Sequence, residues 1–158
     1  MTHKTVLITG AASGIGLEIA HAFLKADMKV AILDFSPQAI DAAKIQLAAF
    51  HQHCAFFACD VTNEAQFMGA IDDVVAQFGG IDILINNAGV QYIAPIEEFP
   101  SDTYRRLLDI MLIAPFLAIK KVLPLMKNAG EGRIINMASI NGLIGFAGKA
   151  GYNSAKHG

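Results

Sequence analysis

The sequence contains no tryptophan and only two cysteines, Cys54 and Cys59. Two thiols are too few for a disulfide framework; both are expected to be reduced and packed beside a strand. Charge is also sparse. Lys and Arg number 12 against 14 Asp and Glu, for a formal net charge of −2 and a pI near 6.2. That balance gives no basic footprint, so nucleic acid is not an expected partner. No segment reaches the roughly 18 to 20 consecutive apolar residues of a membrane-spanning helix, so no membrane partner is expected. Met1 to Gly10 holds no long apolar core and runs straight into a glycine-rich turn, unlike a signal peptide. A cytoplasmic location is the default expectation. Repeats, low-complexity tracts and proline-rich linkers are absent, and no set of metal ligands is assigned from the sequence.

What the chain does have is apolar residues. At 158 residues, 54% hydrophobic and 16% charged, it suits one domain with a sizeable core. Val6 to Thr9 is a short apolar run ending at Gly10, the pattern of a buried parallel strand. Gly10, Gly14 and Gly16 follow, then Leu17, Ile19, Ala20 and Phe23 at helical spacing. A strand, a glycine turn and a helix in succession form a phosphate cradle. The glycines let the backbone approach closely, and the helix N-terminus supplies N–H donors and positive potential. Gly10, Ser13, Gly14, Ile15 and Gly16 are therefore expected to bind a dinucleotide cofactor.

Lys29 to Asp34 reads as the second strand, with Asp34 at its end, 18 residues after Gly16. A carboxylate there accepts hydrogen bonds from both ribose hydroxyls of adenosine and repels a 2′-phosphate, which favours NAD over NADP. Asp34 could instead cap the next helix, although Ser36-Pro37 suits that task better. Residues 37 to 50 form a helix with Ile40, Ala43, Leu47 and Phe50 on one face. Cys54 to Cys59 is a third strand ending at Asp60-Val61, placed for the adenine, with a helix cap as the other reading of Asp60. Asn63 to Phe78 is a helix closed by Gly79-Gly80. Ile81 to Ile85 is strand four, and it runs into Asn86, Asn87, Ala88 and Gly89. Small residues there admit the cofactor ribose, while an Asn amide can tie strand ends together. Ser101 or Asp102 is expected to cap a long helix reaching about Lys127, bent or broken at Pro115 and Pro124. Arg133 to Met137 is strand five, ending near Ser139.

This alternation calls for an α/β fold with a doubly wound, Rossmann-like parallel sheet, in a single domain over residues 1–158. The singled-out residues all fall at the carboxyl ends of its strands, where such sheets bind ligands. Tyr152 and Lys156, four residues apart, share one helix face. A phenol ordinarily titrates near ~10, and an ammonium one turn away favours the phenolate. With the Ser139 hydroxyl across from them, they make a proton-transfer site for an alcohol or a carbonyl.

In combination these motifs make the chain resemble a short-chain dehydrogenase/reductase. Thr9 to Gly16, Asn86 to Gly89, Ser139 and Tyr152 to Lys156 appear in order, with Ser139 13 residues before Tyr152. The resemblance implies hydride transfer between nicotinamide C4 and a carbinol carbon. Tyr152 would be the acid/base, Lys156 would activate it and hold the nicotinamide ribose, and Ser139 would position the substrate oxygen. Within the family the chain is similar to the bacterial D-3-hydroxybutyrate dehydrogenases, through Gly89 to Gln91, Ala94 to Pro100, Gly132 to Asn136, Ala138 to Leu143, Lys149 and Ala155 to Gly158. That similarity implies a small 3-hydroxy acid or ketone as substrate, with contacts from Gln91, Ser139, Asn141, Lys149 and Tyr152. A cation such as Lys149 suits a carboxylate, although Lys149 and Gln91 could equally be solvated loop residues.

Three departures stand out. Met111 occupies the place where the family usually has a helix Asn that anchors a water, and Asn141 stands where the 3-hydroxybutyrate group usually has His. The chain also stops at Gly158, whereas family members continue through two more strands and a lid. The sheet is thus expected to be incomplete at its C-terminal side. Strand five would be an apolar edge inviting association, hence a homo-oligomer, and the Tyr152 helix would have hardly one turn. Two other readings stay open: another NAD(P)-dependent reductase on the same scaffold, such as one for 3-oxoacyl thioesters, polyols or steroids, and a nucleotide-binding or assembly module without catalysis.

Overall fold

A computed structural model describes residues 3–158. Five parallel strands alternate with helices: β1 (Thr5–Thr9), α1 (Gly14–Lys25), β2 (Lys29–Asp34), α2 (Pro37–Gln46), β3 (Cys54–Ala58), α3 (Glu64–Phe78), β4 (Ile83–Asn86), α4 (Ser101–Leu108), α5 (Ala114–Ala129), β5 (Arg133–Asn136) and α6 (Ala150–His157). The sheet order is β3-β2-β1-β4-β5, so the chain winds outward from β1 in both directions. Register follows from burial on both faces. Val6 pairs with Val30 and Ile83, and Ile8 with Ile32 and Ile85.

Strand residues alternate between two cores, as the two-residue period of a pleated strand requires. Val6, Ile8, Val30 and Ile32 pack with Leu17, Ala20 and Leu24 of α1 and with Ile40 and Ala43 of α2. Leu7, Ala31, Leu33 and Leu84 point the other way, onto Phe67, Ile71 and Val74 of α3 and Ala118 and Val122 of α5. A smaller cluster of Leu107, Ile110, Met111 and Ala155 joins α4 to α6. The doubly wound parallel sheet read from the sequence is the observed fold. No helix among the described residues is long and apolar enough to cross a membrane.

Several boundaries differ from expectation. The helix after Ser36 ends at Gln46, and a separate 3-10 turn covers Ala48–Phe50. Strand four begins at Ile83 rather than Ile81, because Asp82 uses its carboxylate to accept from the Thr5 N–H at 2.7 Å. Neither Ser101 nor Asp102 caps α4; Pro100 takes the cap position with no side-chain hydrogen bond. The long helix expected to bend or break at Pro115 and Pro124 is interrupted just before Pro115, where a π-helical turn at Asp109–Ile113 separates α4 from α5. Pro115 sits in the first turn of α5, where its missing N–H costs nothing. Pro124 lies inside α5 without ending it. The helix carrying Tyr152 is eight residues, more than two turns. Packing accounts for its length. Gly151 lies against Leu107, where a Cβ would come 2.6 Å from Leu107 Cδ1, Ala155 is buried, and the Tyr104 hydroxyl donates to Ser154 Oγ at 3.1 Å.

Candidate active site

A crevice of about 620 Å³ runs along the carboxyl ends of the strands. At its floor the loop after β1 meets the loop after β4. Gly10 adopts φ +62, and a Cβ there would lie 2.8 Å from Ala88 Cα; one on Gly16 would lie 2.6 Å from Asn87 Nδ2. Only glycine allows both the left-handed turn and this approach. Thr9 Oγ accepts from the Asn87 and Ala88 N–H groups, each at 3.1 Å, and the Asn87 amide donates to the Thr9 and Gly10 carbonyls at 3.0 and 2.9 Å. Asn86 donates to Asn136 Oδ1 at 2.8 Å, tying β4 to β5. Both asparagines thus spend their amides on strand ends, and Asn87 faces the crevice with its donors already engaged.

At the end of the crevice beside β2, Asp34 Oδ2 accepts from the Ala12 N–H and Oδ1 from the Ser36 N–H, each at 3.0 Å. The cap of α2 is Ser36, whose Oγ accepts from Ala39 N, so Asp34 is not a cap. Each of its oxygens keeps a second lone pair for a ligand hydroxyl. Asp60 accepts from the Thr62 N–H and hydroxyl at 2.9 and 2.7 Å, and lies 3.6 Å from Arg106. Partial burial disfavours its charge, but the two Thr62 bonds and the Arg106 guanidinium outweigh that and hold the carboxyl below its ordinary range. Asn63, not Asp60, caps α3, accepting from Gln66 N at 3.1 Å.

Beside α6, Lys156 donates to the Met137 carbonyl and stands 5.8 Å from the centroid of the Tyr152 ring. Burial lowers its pKa. Both residues line the crevice, as does Gly89.

The structure brings together Gly10, Ser13, Gly14, Ile15 and Gly16 with Asp34, Asp60 and Val61, and these with Asn87, Ala88, Gly89, Gln91, Tyr152 and Lys156. It does not bring Ser139, Asn141 or Lys149 into the crevice lining. Ser139 Oγ donates to Asn141 Oδ1 at 3.3 Å and accepts from Asn141 N at 3.2 Å. Asn141 is buried and donates to Asn153 Oδ1 at 2.8 Å. Lys149 starts α6 with its ammonium 5.6 Å from the Phe146 ring centroid. Met111 is buried within the π-helical turn, against Gly89.

Sequence reasoning missed Phe35, Arg106, Ile110, Met137 and Ala138, which also line the crevice. Met137 and Ala138 follow the end of β5, so the strand-end rule could have found them. Nothing in the sequence marks Arg106, whose guanidinium lies 5.7 Å from the Phe35 ring centroid. Cys54 and Cys59 are free and buried, and burial pushes their thiols up to about 12 and about 11. The neighbouring Asp60 charge adds to the effect on Cys59.

A crevice at the tips of a doubly wound sheet, with a glycine floor, a carboxylate at one end and a phenol–ammonium pair at the other, matches known proteins along its whole length. The family model for short chain dehydrogenases matches residues 4–158, and the chain belongs to that family. It is 51% identical over its full length to the uncharacterized oxidoreductase YxjF of Bacillus subtilis (strain 168), covering 62% of that protein. It is 38% identical to a D-beta-hydroxybutyrate dehydrogenase of Rhizobium meliloti (strain 1021), over 98% of this chain and 61% of the relative. The structure of an NAD+-bound xylitol dehydrogenase superposes with a TM-score of 0.91 at 35% identity, over 98% of this chain and 60% of that one. The chain thus spans about three fifths of the proteins it matches.

Proposed function

We propose that this chain is the dinucleotide-binding and proton-transfer part of an NAD-dependent dehydrogenase. It would interconvert a small 3-hydroxy acid, such as 3-hydroxybutyrate, and the corresponding keto acid. The observation that carries the reading is the single crevice that holds Asp34 at one end and Tyr152 with Lys156 at the other. The residues fit NAD. The Gly10 and Gly16 backbones leave room for a pyrophosphate against the start of α1. Free lone pairs on Asp34 suit two ribose hydroxyls, and its charge disfavours a 2′-phosphate.

When bound, NAD supplies the acceptor for a hydride leaving the carbinol carbon. The chain's own residues handle the proton. Tyr152 takes it from the substrate hydroxyl, and the Lys156 ammonium stabilises the negative charge that precedes transfer. Ser139 reaches the substrate oxygen by turning its hydroxyl from Asn141, and Gln91 and Lys149 are the donors for the carboxylate. Asn141 acts through Ser139 and Asn153, holding the turn into α6. The exposed Ile113, Phe116 and Leu123 support a homo-oligomer.

Met111 at the usual amide position, and Ser139 bonded to Asn141, favour a second reading in which the crevice binds nucleotide without turnover. The two are separated by titrating NADH into the chain by fluorescence. Oxidation of D-3-hydroxybutyrate is then assayed in a chain extended to its relatives' length. The expected result is saturable NADH binding, turnover lost about 10²–10⁴-fold in Tyr152→Phe, and a weaker preference for NAD over NADP in Asp34→Ala. Binding without turnover in the extended chain would select the second reading.

A further inference from the structure

At the opposite end of the sheet from the crevice, three ligand-type side chains converge. His3 lies two residues before β1, Asp27 two before β2, and His53 immediately before β3. Because these strands are neighbours in the sheet, their starting points meet. We propose that His3, Asp27 and His53 bind a divalent late first-row transition ion, with Zn²⁺ as the occupant their chemistry fits best. The site is independent of the nucleotide crevice and of the function proposed for it.

The geometry is close to a coordination shell. One ligand atom from each residue lies within 4.8 Å of the other two. His3 Nδ1 is 3.2 Å from Asp27 Oδ2, and His53 Nδ1 is 3.6 Å from Asp27 Oδ1. Zn–N and Zn–O bonds of ~2.0–2.1 Å at tetrahedral angles place neighbouring ligand atoms roughly 3.3–3.4 Å apart. The two pairs through Asp27 are near that spacing, while the His3–His53 pair is bounded only at 4.8 Å, so the imidazoles must close up around an ion. Two imidazoles and one carboxylate leave the fourth position to water. The donor set is too rich in nitrogen for Mg²⁺ or Ca²⁺ and has no thiolate for Cu(I).

Residue choice at Asp27 points the same way. Asp27 has φ 61 and is the only non-glycine with positive φ among the described residues. It follows Ala26, the C-cap of α1, where glycine would be the least strained choice. Asp tolerates this conformation better than most residues, and it keeps a carboxylate between two imidazole rings whose centroids are 4.8 Å apart. The negative end of the α1 dipole adds to the field on a cation there. The flanking lysines are engaged elsewhere: Lys4 pairs with Glu131 at 2.8 Å, and Lys29 lies over Phe78. His3 Nδ1 is 2.7 Å from the Asp27 carbonyl. A nitrogen donating its proton to that carbonyl cannot also ligate, so uptake through it requires the His3 ring to shift to its Nε2–H tautomer and give up that hydrogen bond.

The test is titration of ZnCl₂ into the chain by calorimetry, with thermal melts before and after EDTA. Co²⁺ absorption serves as a coordination probe. Expected are one ion per chain and a melting temperature raised by Zn²⁺ and lowered again by EDTA. Affinity should fall about 10-fold or more in His3→Gln, His53→Gln and Asp27→Gly, with NADH affinity unchanged. Asp27→Gly relieves the left-handed backbone, so loss of ion binding in that variant cannot be ascribed to a fold defect. Unaltered Zn²⁺ affinity across the three variants would overturn the proposal, as would a thiolate-to-cobalt charge-transfer band pointing to Cys54 and Cys59. No Zn²⁺-dependent heat or melting shift in the parent chain would overturn it too, leaving the cluster as a hydrogen-bonded tie between strand starts.

Discussion

The two ends of the crevice are built from unlike material. The adenosine end stands on β1 and β2, whose Val6, Leu7, Ile8, Val30, Ala31, Ile32 and Leu33 are wholly buried. The reactive end stands on β5, where Arg133, Ile135 and Asn136 are exposed, and on α6, held mainly by Leu107, Tyr104 and the turn from Ser139 to Asn153. A group on a buried central strand is positioned by packing on both faces. A group on an edge strand is positioned by whatever covers the edge. The part of the crevice around Asp34 is therefore pre-organised by packing, and the part around Tyr152 and Lys156 is held in this chain by a few side-chain ties.

The largest way to break that contrast is a single methyl group on the rigid side. In Gly16→Ala the new carbon meets Asn87 Nδ2 and the Ala11 backbone, and neither can retreat because both lie in the tight junction of two strand ends. Overpacking of this kind costs about 1–3 kcal/mol. The expected outcome is a lower denaturation midpoint together with a loss of NADH affinity of about ten-fold or more, since the displaced loop is the one that must approach the pyrophosphate. Wild-type affinity in Gly16→Ala would mean that the floor is not as rigid as its contacts indicate.

A smaller effect separates two adjacent residues of the same type. Asn87→Ala strips donors from the Thr9 and Gly10 carbonyls and should cost about 1–3 kcal/mol, the penalty for leaving such groups unpaired. Asn86→Ala removes one bond, to Asn136, which is exposed and can turn to water. Its cost should be about 0.5–1.5 kcal/mol. Urea melts of the two variants measure the difference directly. Equal losses would show that the β4–β5 edge is held as firmly as the centre.

The same contrast governs what could be read from the letters. The succession of strands and helices, the parallel sheet and the glycine turn follow from local patterns: short continuous apolar runs, helical spacing, and glycines between strand and helix. Asp34 and Asp60 were legible because a strand's end is a position in sequence as well as in space. The π-helical turn at Asp109–Ile113 was legible only as an interruption near Pro115; nothing in its own residues marks its π form. Arg106 was invisible, as only the folded angle of α4 brings it to Asp60 and Phe35. The length of α6 was underestimated because its stability comes from Leu107 and Tyr104, roughly two helices away in sequence. Asn141 could be spotted, but not its burial against Asn153.

The smallest expected effect is on the pH dependence of stability, and there the two ends should act at opposite extremes. Asp60 belongs to the adenosine end, and its folded-state pKa lies below its ordinary value, through the Thr62 bonds and Arg106 acting against partial desolvation. A carboxylate of this kind contributes stability that is present above its unfolded pKa, near ~3.9, and lost as pH falls through the folded value. Lys156 belongs to the reactive end, and burial depresses its pKa. The unfolded chain then holds more protons than the folded one between the depressed value and ~10.4, so stability rises with pH across that window. Melting temperatures measured across pH should show Asp60→Asn flattening only the acid limb and Lys156→Met only the alkaline one. If Lys156→Met left the alkaline limb unchanged, its ammonium would be solvated rather than buried, and the reactive end would be looser still than its contacts suggest.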